Sequence, residues 1–138
     1  MSFNNSKNKI KTAKTNYFSA GVIPKYNDYF LLVLEKKKNN WSFPKGKKDL
    51  NDFNSLNTAL RELKEETNIH VDYNSKNIKN SYMIKKCIFY EYEFSTVPEI
   101  LYVESVEVKE IKWFKLDEIN SIPLNYLTKK YFEIIKKK

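Results

Sequence analysis

The run Tyr29-Phe30-Leu31-Leu32-Val33-Leu34 constrains the fold more than any other stretch of the chain. Consecutive apolar residues without polar alternation read as a strand covered on both faces, so its sheet needs packed layers on either side. Other strands are predicted around it. Residues 17–23 read as one, ended by Pro24. Asn27-Asp28 is a turn signal, residues 36–40 form an exposed loop, and residues 41–46 are a short strand running into a turn. Residues 82–96 are β-rich, with alternation through Phe89-Tyr90-Glu91-Tyr92-Glu93-Phe94, and a further strand is predicted over 107–114.

The spacing of Leu56, Ala59, Leu60 and Leu63 predicts a helix over 56–67, with Ser55 as its N-cap and Asn68 as its left-handed stop. A second amphipathic helix follows Pro123, with Leu124, Leu127, Tyr131 and Ile134 on one stripe. Its closing lysines, 136–138, suit the negative end of a helix. Strands and helices interspersed in this way give an α/β or α+β layered class. The 138 residues suit one domain, in which residues 1 to about 15 are read as a flexible polar arm.

Residue counts exclude several chemistries. One histidine, His70, and one cysteine, Cys87, cannot build a Cys/His zinc site, and a thiol or serine nucleophile would have to share that histidine. Two glycines, Gly21 and Gly46, cannot make a P-loop or a dinucleotide-binding turn. No apolar run approaches the roughly 20 residues that span a bilayer, and the N-terminus has no apolar signal core. A lone cysteine forms no intramolecular disulfide, so a reducing, cytoplasmic setting is expected, with no membrane partner. The net charge of +8 points to an anionic partner, although a solvated lysine-rich surface explains the charge alone equally well.

The predicted first helix carries the chemistry. With 100° per residue, Glu66 falls about 40° to one side of Glu62 and Glu65 about 60° to the other, so the three carboxylates share a face. That face repels itself and sits at the wrong helix end for anions. A solvated acidic face is the plain reading of such a run. A divalent cation reverses the sign of the problem, because hard cations take carboxylate oxygens together with water and phosphate.

The surrounding residues narrow the choice. Gly46, then Asp52, then Arg61-Glu62-Leu63-Lys64-Glu65-Glu66-Thr67-Asn68-Ile69 resembles the Nudix box, G-x5-E-x7-R-E-U-x-E-E-x-G-U with U aliphatic. The only arginine among 24 lysines falls at the box arginine. A guanidinium clamps a carboxylate bidentately, which lysine cannot do. Asp52 stands where the family has Glu, the spacer holds eight residues (53–60) rather than seven, and Asn68 replaces the second glycine. The resemblance implies a Nudix-type α/β/α sandwich with a mixed central sheet. It also implies Mg²⁺ or Mn²⁺ held by Glu62, Glu65 and Glu66, an Arg61 that orients a glutamate, and Gly46 as a loop ligand or turn. The implied reaction is water attack on phosphorus, with Glu66, Arg61 and Glu107 as the catalytic group.

Two subfamilies compete. Pro44-Lys45-Gly46, and Ser105-Val106-Glu107 followed by Trp113, resemble elements of the asymmetrically cleaving diadenosine tetraphosphate (Ap4A) hydrolases, in which this glutamate approaches the metals. Trp41-x-Phe43-Pro44-Lys45-Gly46-Lys47 resembles the mRNA-decapping group, the one reading that brings RNA as a partner. Those enzymes usually carry a helical domain before the Nudix domain and basic sequence after it, for which this chain has little room. A monomeric hydrolase of the first kind, acting on a nucleotide polyphosphate, is the expectation. Lys45, Lys47 and Lys86 are expected to meet phosphates, and Tyr90 to stack on adenine. Core packing is the ordinary role of such a tyrosine and of Trp113, and Glu107 could be an ordinary surface residue. Outside catalysis, a binding module with a decayed box is the remaining alternative.

Overall fold

A computed structural model describes residues 16–100 and 107–137. The polar arm expected over 1–15, and Ser105-Val106 of the second motif, lie outside the described residues. The strands are β1 (Ser19–Tyr26), β2 (Tyr29–Glu35), β3 (Trp41–Ser42), β4 (Lys45–Lys47), β5 (Ile78–Ile84), β6 (Cys87–Glu93) and β7 (Val108–Lys115). The helices are α1 (Ser55–Thr67) and α2 (Tyr126–Lys136), and a short 3-10 helix spans Leu116–Ser121.

The strands form one mixed sheet. β1 runs parallel to β6, while the β1–β2, β1–β4, β2–β3, β2–β7 and β5–β6 pairs are antiparallel. β1 and β2 pair only beside their turn, at Lys25–Phe30 and Tyr26–Tyr29, and then diverge. Residues 41–47 fill the opening: β3 takes the free edge of β2, and β4 takes that of β1. The splay explains Pro24, which lies inside β1 rather than ending it. The Val22 N–H donates to the Pro44 carbonyl on the β4 side. Two residues on, the proline nitrogen faces the same side, past the last β4 pair at Gly21–Lys45 and short of the first β2 pair. No ladder donor is needed there.

Each face of the sheet holds a core, which explains the unbroken apolar run of β2. Leu31 packs with Val22, Ala20, Ile88 and the α1 residues Leu56, Ala59 and Leu63. Leu32 packs on the opposite face with Ile23, Phe43, Phe89 and the α2 residues Tyr131 and Phe132. Fully burying such a leucine contributes about 2 kcal/mol.

Several expectations change at this level. Asn54, not Ser55, caps α1: its side chain accepts from the Asn57 N–H at 2.9 Å. The Ser55 hydroxyl is buried against the Tyr90 hydroxyl at 2.6 Å and belongs to the core. The β-rich stretch is two strands, joined at Lys85 and Lys86 with φ of 51° and 65°. A two-lysine turn carries none of the usual Asn-Gly signal. α2 begins at Tyr126 under an Asn125 cap, leaving Leu124 outside; its buried residues are Thr128, Tyr131 and Phe132, and Ile134 is exposed. Asn27 (φ 54°) and the α1 stop at Asn68 (φ 64°) adopt the left-handed backbone their positions require.

Candidate active site

The site lies where β4, the open end of β2, the start of β7 and α1 meet. A cap at Asn54 and a buried Leu56/Ala59/Leu63 stripe fix α1 against β1. Glu62 and Glu66, one turn apart, then face the sheet and are 8% and 9% exposed. Glu62 lies over β4 at Gly46, where an added Cβ would fall inside its carboxyl group. Burial raises the pKa of Glu62 above the usual carboxylate range, partly offset by Arg61 and reinforced by Glu65 and Glu107. Burial pushes Glu66 up to about 9; the charges of Glu62 and Glu35 add to this, and Lys45 eases it.

Arg61 organises the entrance. Its Nε donates to Asp52 Oδ1 and its Nη2 to Asp52 Oδ2, both at 2.9 Å. Nη2 also donates to the Lys47 carbonyl at 3.0 Å, while Nη1 donates to Glu62 at 3.0 Å and Glu65 at 3.2 Å. Asp52 further accepts from the Thr58 hydroxyl and the Asp49 N–H, both at 2.8 Å. With the Arg61 hydrogen bond as the main cause, the Asp52 pKa is held down at about 2. The shorter Asp52 is therefore the anchor of the arginine fork, a role the box resemblance left open. The loop before α1 carries Leu50 and Phe53, both strongly exposed.

The acidic face divides. Glu65 is exposed and turned to Arg61, whereas Glu62 and Glu66 are buried together. Glu107 is exposed at the start of β7, and its carbonyl accepts the Lys36 N–H at 2.9 Å. Lys45 lies beside Glu66. Lys47 is exposed, its ammonium 5.4 Å from the Phe18 ring. Lys86 is exposed at the β5–β6 turn, and its carbonyl accepts from the N–H groups of Phe18 and Ser19, which places it at the same end of β1 as Lys47.

Tyr90 needs correction as a base-stacking residue. It is 1% exposed within the α1-side core, its hydroxyl on Ser55, and neither ring face is open to a ligand. Trp113 packs against that core, 6.0 Å from Phe94. Cys87 is buried, which raises its thiol pKa and suits a packing role. Sequence reasoning missed Glu35, whose charge reaches Glu66. The signal was present: Leu31, Val33 and Glu35 alternate onto one face of β2.

Among the described residues no three His, Cys, Asp or Glu side chains form a ready-made cage for a metal ion. The donors nevertheless fit a hard divalent cation. Mg²⁺ retains waters and is held by one or two carboxylates plus substrate phosphates, and the buried Glu62/Glu66 pair supplies that number. The missing Cβ at Gly46 leaves room for the Glu62 carboxylate.

A seven-stranded mixed sheet between helices, with paired carboxylates toward one end of α1, defines a layered α/β protein. The NUDIX domain model matches residues 16–137, and the chain belongs to the Nudix family. Among curated proteins no sequence matches it. Solved structures do. A Francisella tularensis bifunctional NMN adenylyltransferase/ADP ribose pyrophosphatase complexed with AMP and a Mn ion is similar at TM-score 0.64 and 23% identity; the match covers 88% of this chain and 41% of that one. The chain thus corresponds to less than half of that larger protein. A C. elegans Ap4A hydrolase binary complex matches at TM-score 0.62 and 19% identity, over 87% and 99% of the two chains. The NUDIX domain of Shewanella oneidensis NrtR, complexed with ADP ribose, matches at 0.64 and 18%, over 90% and 88%. At these identities the likeness is one of fold. Among the described residues no helix is long and apolar enough to cross a membrane.

Proposed function

We propose that the chain is a divalent-metal-dependent Nudix pyrophosphohydrolase that cleaves bis(5′-nucleosyl) tetraphosphate to ATP and AMP. The observation that carries it is the buried Glu62/Glu66 pair, seated on Gly46 and flanked by the Arg61–Asp52 fork. Two carboxylates kept from water, with raised pKa values, are poised for a cation and a proton. When bound, Mg²⁺ or Mn²⁺ neutralises phosphate charge and acidifies water. Glu66 accepts the proton of the attacking water, whose oxygen bonds to phosphorus as the phosphoanhydride bridge breaks. Arg61 keeps Glu62 and Glu65 in position, and Lys45 meets a phosphate oxygen. Lys47 and Lys86, exposed at one end of β1, extend that contact along the polyphosphate. The choice of substrate rests on the Pro44-Lys45-Gly46 segment that leads into β4 and on Glu107, whose charge acts on Glu62.

A product-resolved assay with diadenosine tetraphosphate and Mg²⁺ tests the proposal. ATP plus AMP is expected; two ADP, or no turnover, overturns the substrate. Release of a capped nucleoside diphosphate from capped RNA, with the dinucleotide left intact, would assign decapping instead. Binding of a nonhydrolysable analogue without cleavage of any substrate, in Mg²⁺ or Mn²⁺, would leave only a binding module. Glu66→Gln is expected to lower kcat by about 100-fold or more while the fold is retained; an unchanged kcat removes Glu66 from proton transfer.

A further inference from the structure

We propose that Glu35, on β2 and outside the box, is a further carboxylate holding the divalent cation; this rests on the pyrophosphohydrolase reading above. The strand places it. Leu31 belongs to the α1-side core and Leu32 to the opposite one, so alternation carries Leu31, Val33 and Glu35 onto the face that α1 covers. Residue 35 is the last of β2 and pairs with Val108, the first residue of β7, across a bulge beside Leu34. The extra residue, Lys109, is on β7, so the alternation of β2 runs unbroken to Glu35. The next N–H, that of Lys36, is bound to the carbonyl of Glu107. Glu35 therefore stands between the segment that carries Glu107 and the helix that carries Glu62 and Glu66.

Its surroundings ask for a cation. Glu35 Oε1 is buried and has no hydrogen-bond partner, a costly state for a carboxylate oxygen. Glu35 as a whole is half-buried; the buried carboxylates Glu62 and Glu66 belong to the same site, and the charge of Glu35 is felt at Glu66. The cations acting on Glu66 and Glu62 are Lys45 and Arg61, and neither bonds the Glu35 Oε1 oxygen. A hard divalent ion accepts one more oxygen ligand and relieves the repulsion. The assignment extends the site from helix to sheet: α1 brings two carboxylates and the end of β2 a third, and because no three among the described residues are gathered ready-made they close on the ion only as it binds.

Mn²⁺ binding, followed by the loss of the free-ion electron paramagnetic resonance signal, tests this without turnover. The full chain would be compared with Glu35→Gln, Glu35→Asp, Glu66→Gln and, on the far side of the sheet, Glu133→Gln. Glu35→Gln is expected to weaken Mn²⁺ binding by about 10-fold or more, with Glu35→Asp intermediate and Glu133→Gln unchanged. In metal-free protein Glu35→Gln should raise Tm, because a repulsive charge is gone, and it should shrink the rise in Tm caused by Mg²⁺. A wild-type Mn²⁺ affinity in folded Glu35→Gln, with Glu66→Gln impaired, overturns the Glu35 assignment and leaves the hydrolase reading standing. If Glu35→Gln fails to fold, wild-type affinity in Glu35→Asp overturns it in the same way. Absence of Mn²⁺ binding by the unmodified protein, with and without a nonhydrolysable dinucleotide, overturns both.

Discussion

Gly46 adopts no left-handed backbone; what it supplies is room. Any side chain there enters the space of the Glu62 carboxyl group. Gly46→Ala is therefore expected to keep the fold, displace Glu62 and lower kcat/KM by at least about 10-fold, since small misplacements in a catalytic constellation are costly. Steady-state kinetics beside a thermal melt would check it. Asp52 shows the opposite economy. One methylene shorter than the glutamate of the family pattern, it still accepts from two of the three Arg61 nitrogens, Nε and Nη2, and from Thr58 on the same helix. The core position of Tyr90 is open to a direct test. Tyr90→Phe removes its bond to Ser55 and should cost about 1 kcal/mol in urea denaturation, with KM for the dinucleotide unchanged. A large rise in KM at unchanged stability would return Tyr90 to the substrate.

At the scale of elements, α1 does two things with one periodicity. Its apolar stripe seats it on β1 and β6, and the flank of that stripe delivers Glu62 and Glu66. The N-terminal cap sets where this begins. Asn54→Ala is expected to destabilise the protein by about 1 kcal/mol and to fray the turn that carries Thr58, seen as a lower denaturation midpoint at unchanged slope. Much of α1 was legible because helix period, cap class and left-handed stop are local physics. The β5–β6 hairpin was not, because its left-handed Lys85-Lys86 corner is imposed by the pairing of its strands rather than by turn chemistry. The stripe of α2 was misplaced for a similar reason. Phe30, Phe43 and Tyr131 form a ring cluster around Phe132, and that packing rotates Ile134 out to water.

For the whole molecule, the buried acid of α1 links folding to pH and metal. In metal-free protein Glu66 keeps its proton up to about pH 9, whereas the unfolded chain releases it near the ordinary value of 4.5. The folded state then binds more protons between these values, so stability falls as pH rises through that window. Asp52 acts in the opposite direction and lower down: its contribution is present above 3.8 and lost as pH falls toward 2. Thermal melts in EDTA should show Tm decreasing from pH 5 to 9, with a shallower slope in Glu66→Gln. Mg²⁺ should raise Tm more at pH 8 than at pH 6, because it competes with the proton for the carboxylate. A slope unaffected by Glu66→Gln would show that this residue does not govern it.

The chain by itself determined the layered class, the box helix with its acidic residues, and the place of the lone arginine. Each of these is written in local periodicity or in residue counts. Tertiary structure alone decided which carboxylates are buried, that Asp52 grips Arg61, that the charge of Glu35 reaches Glu66 and that Tyr90 belongs to the core. These depend on a strand splay and a helix seating that bring residues distant in sequence within a few ångströms, and burial and charge act through space rather than along the chain.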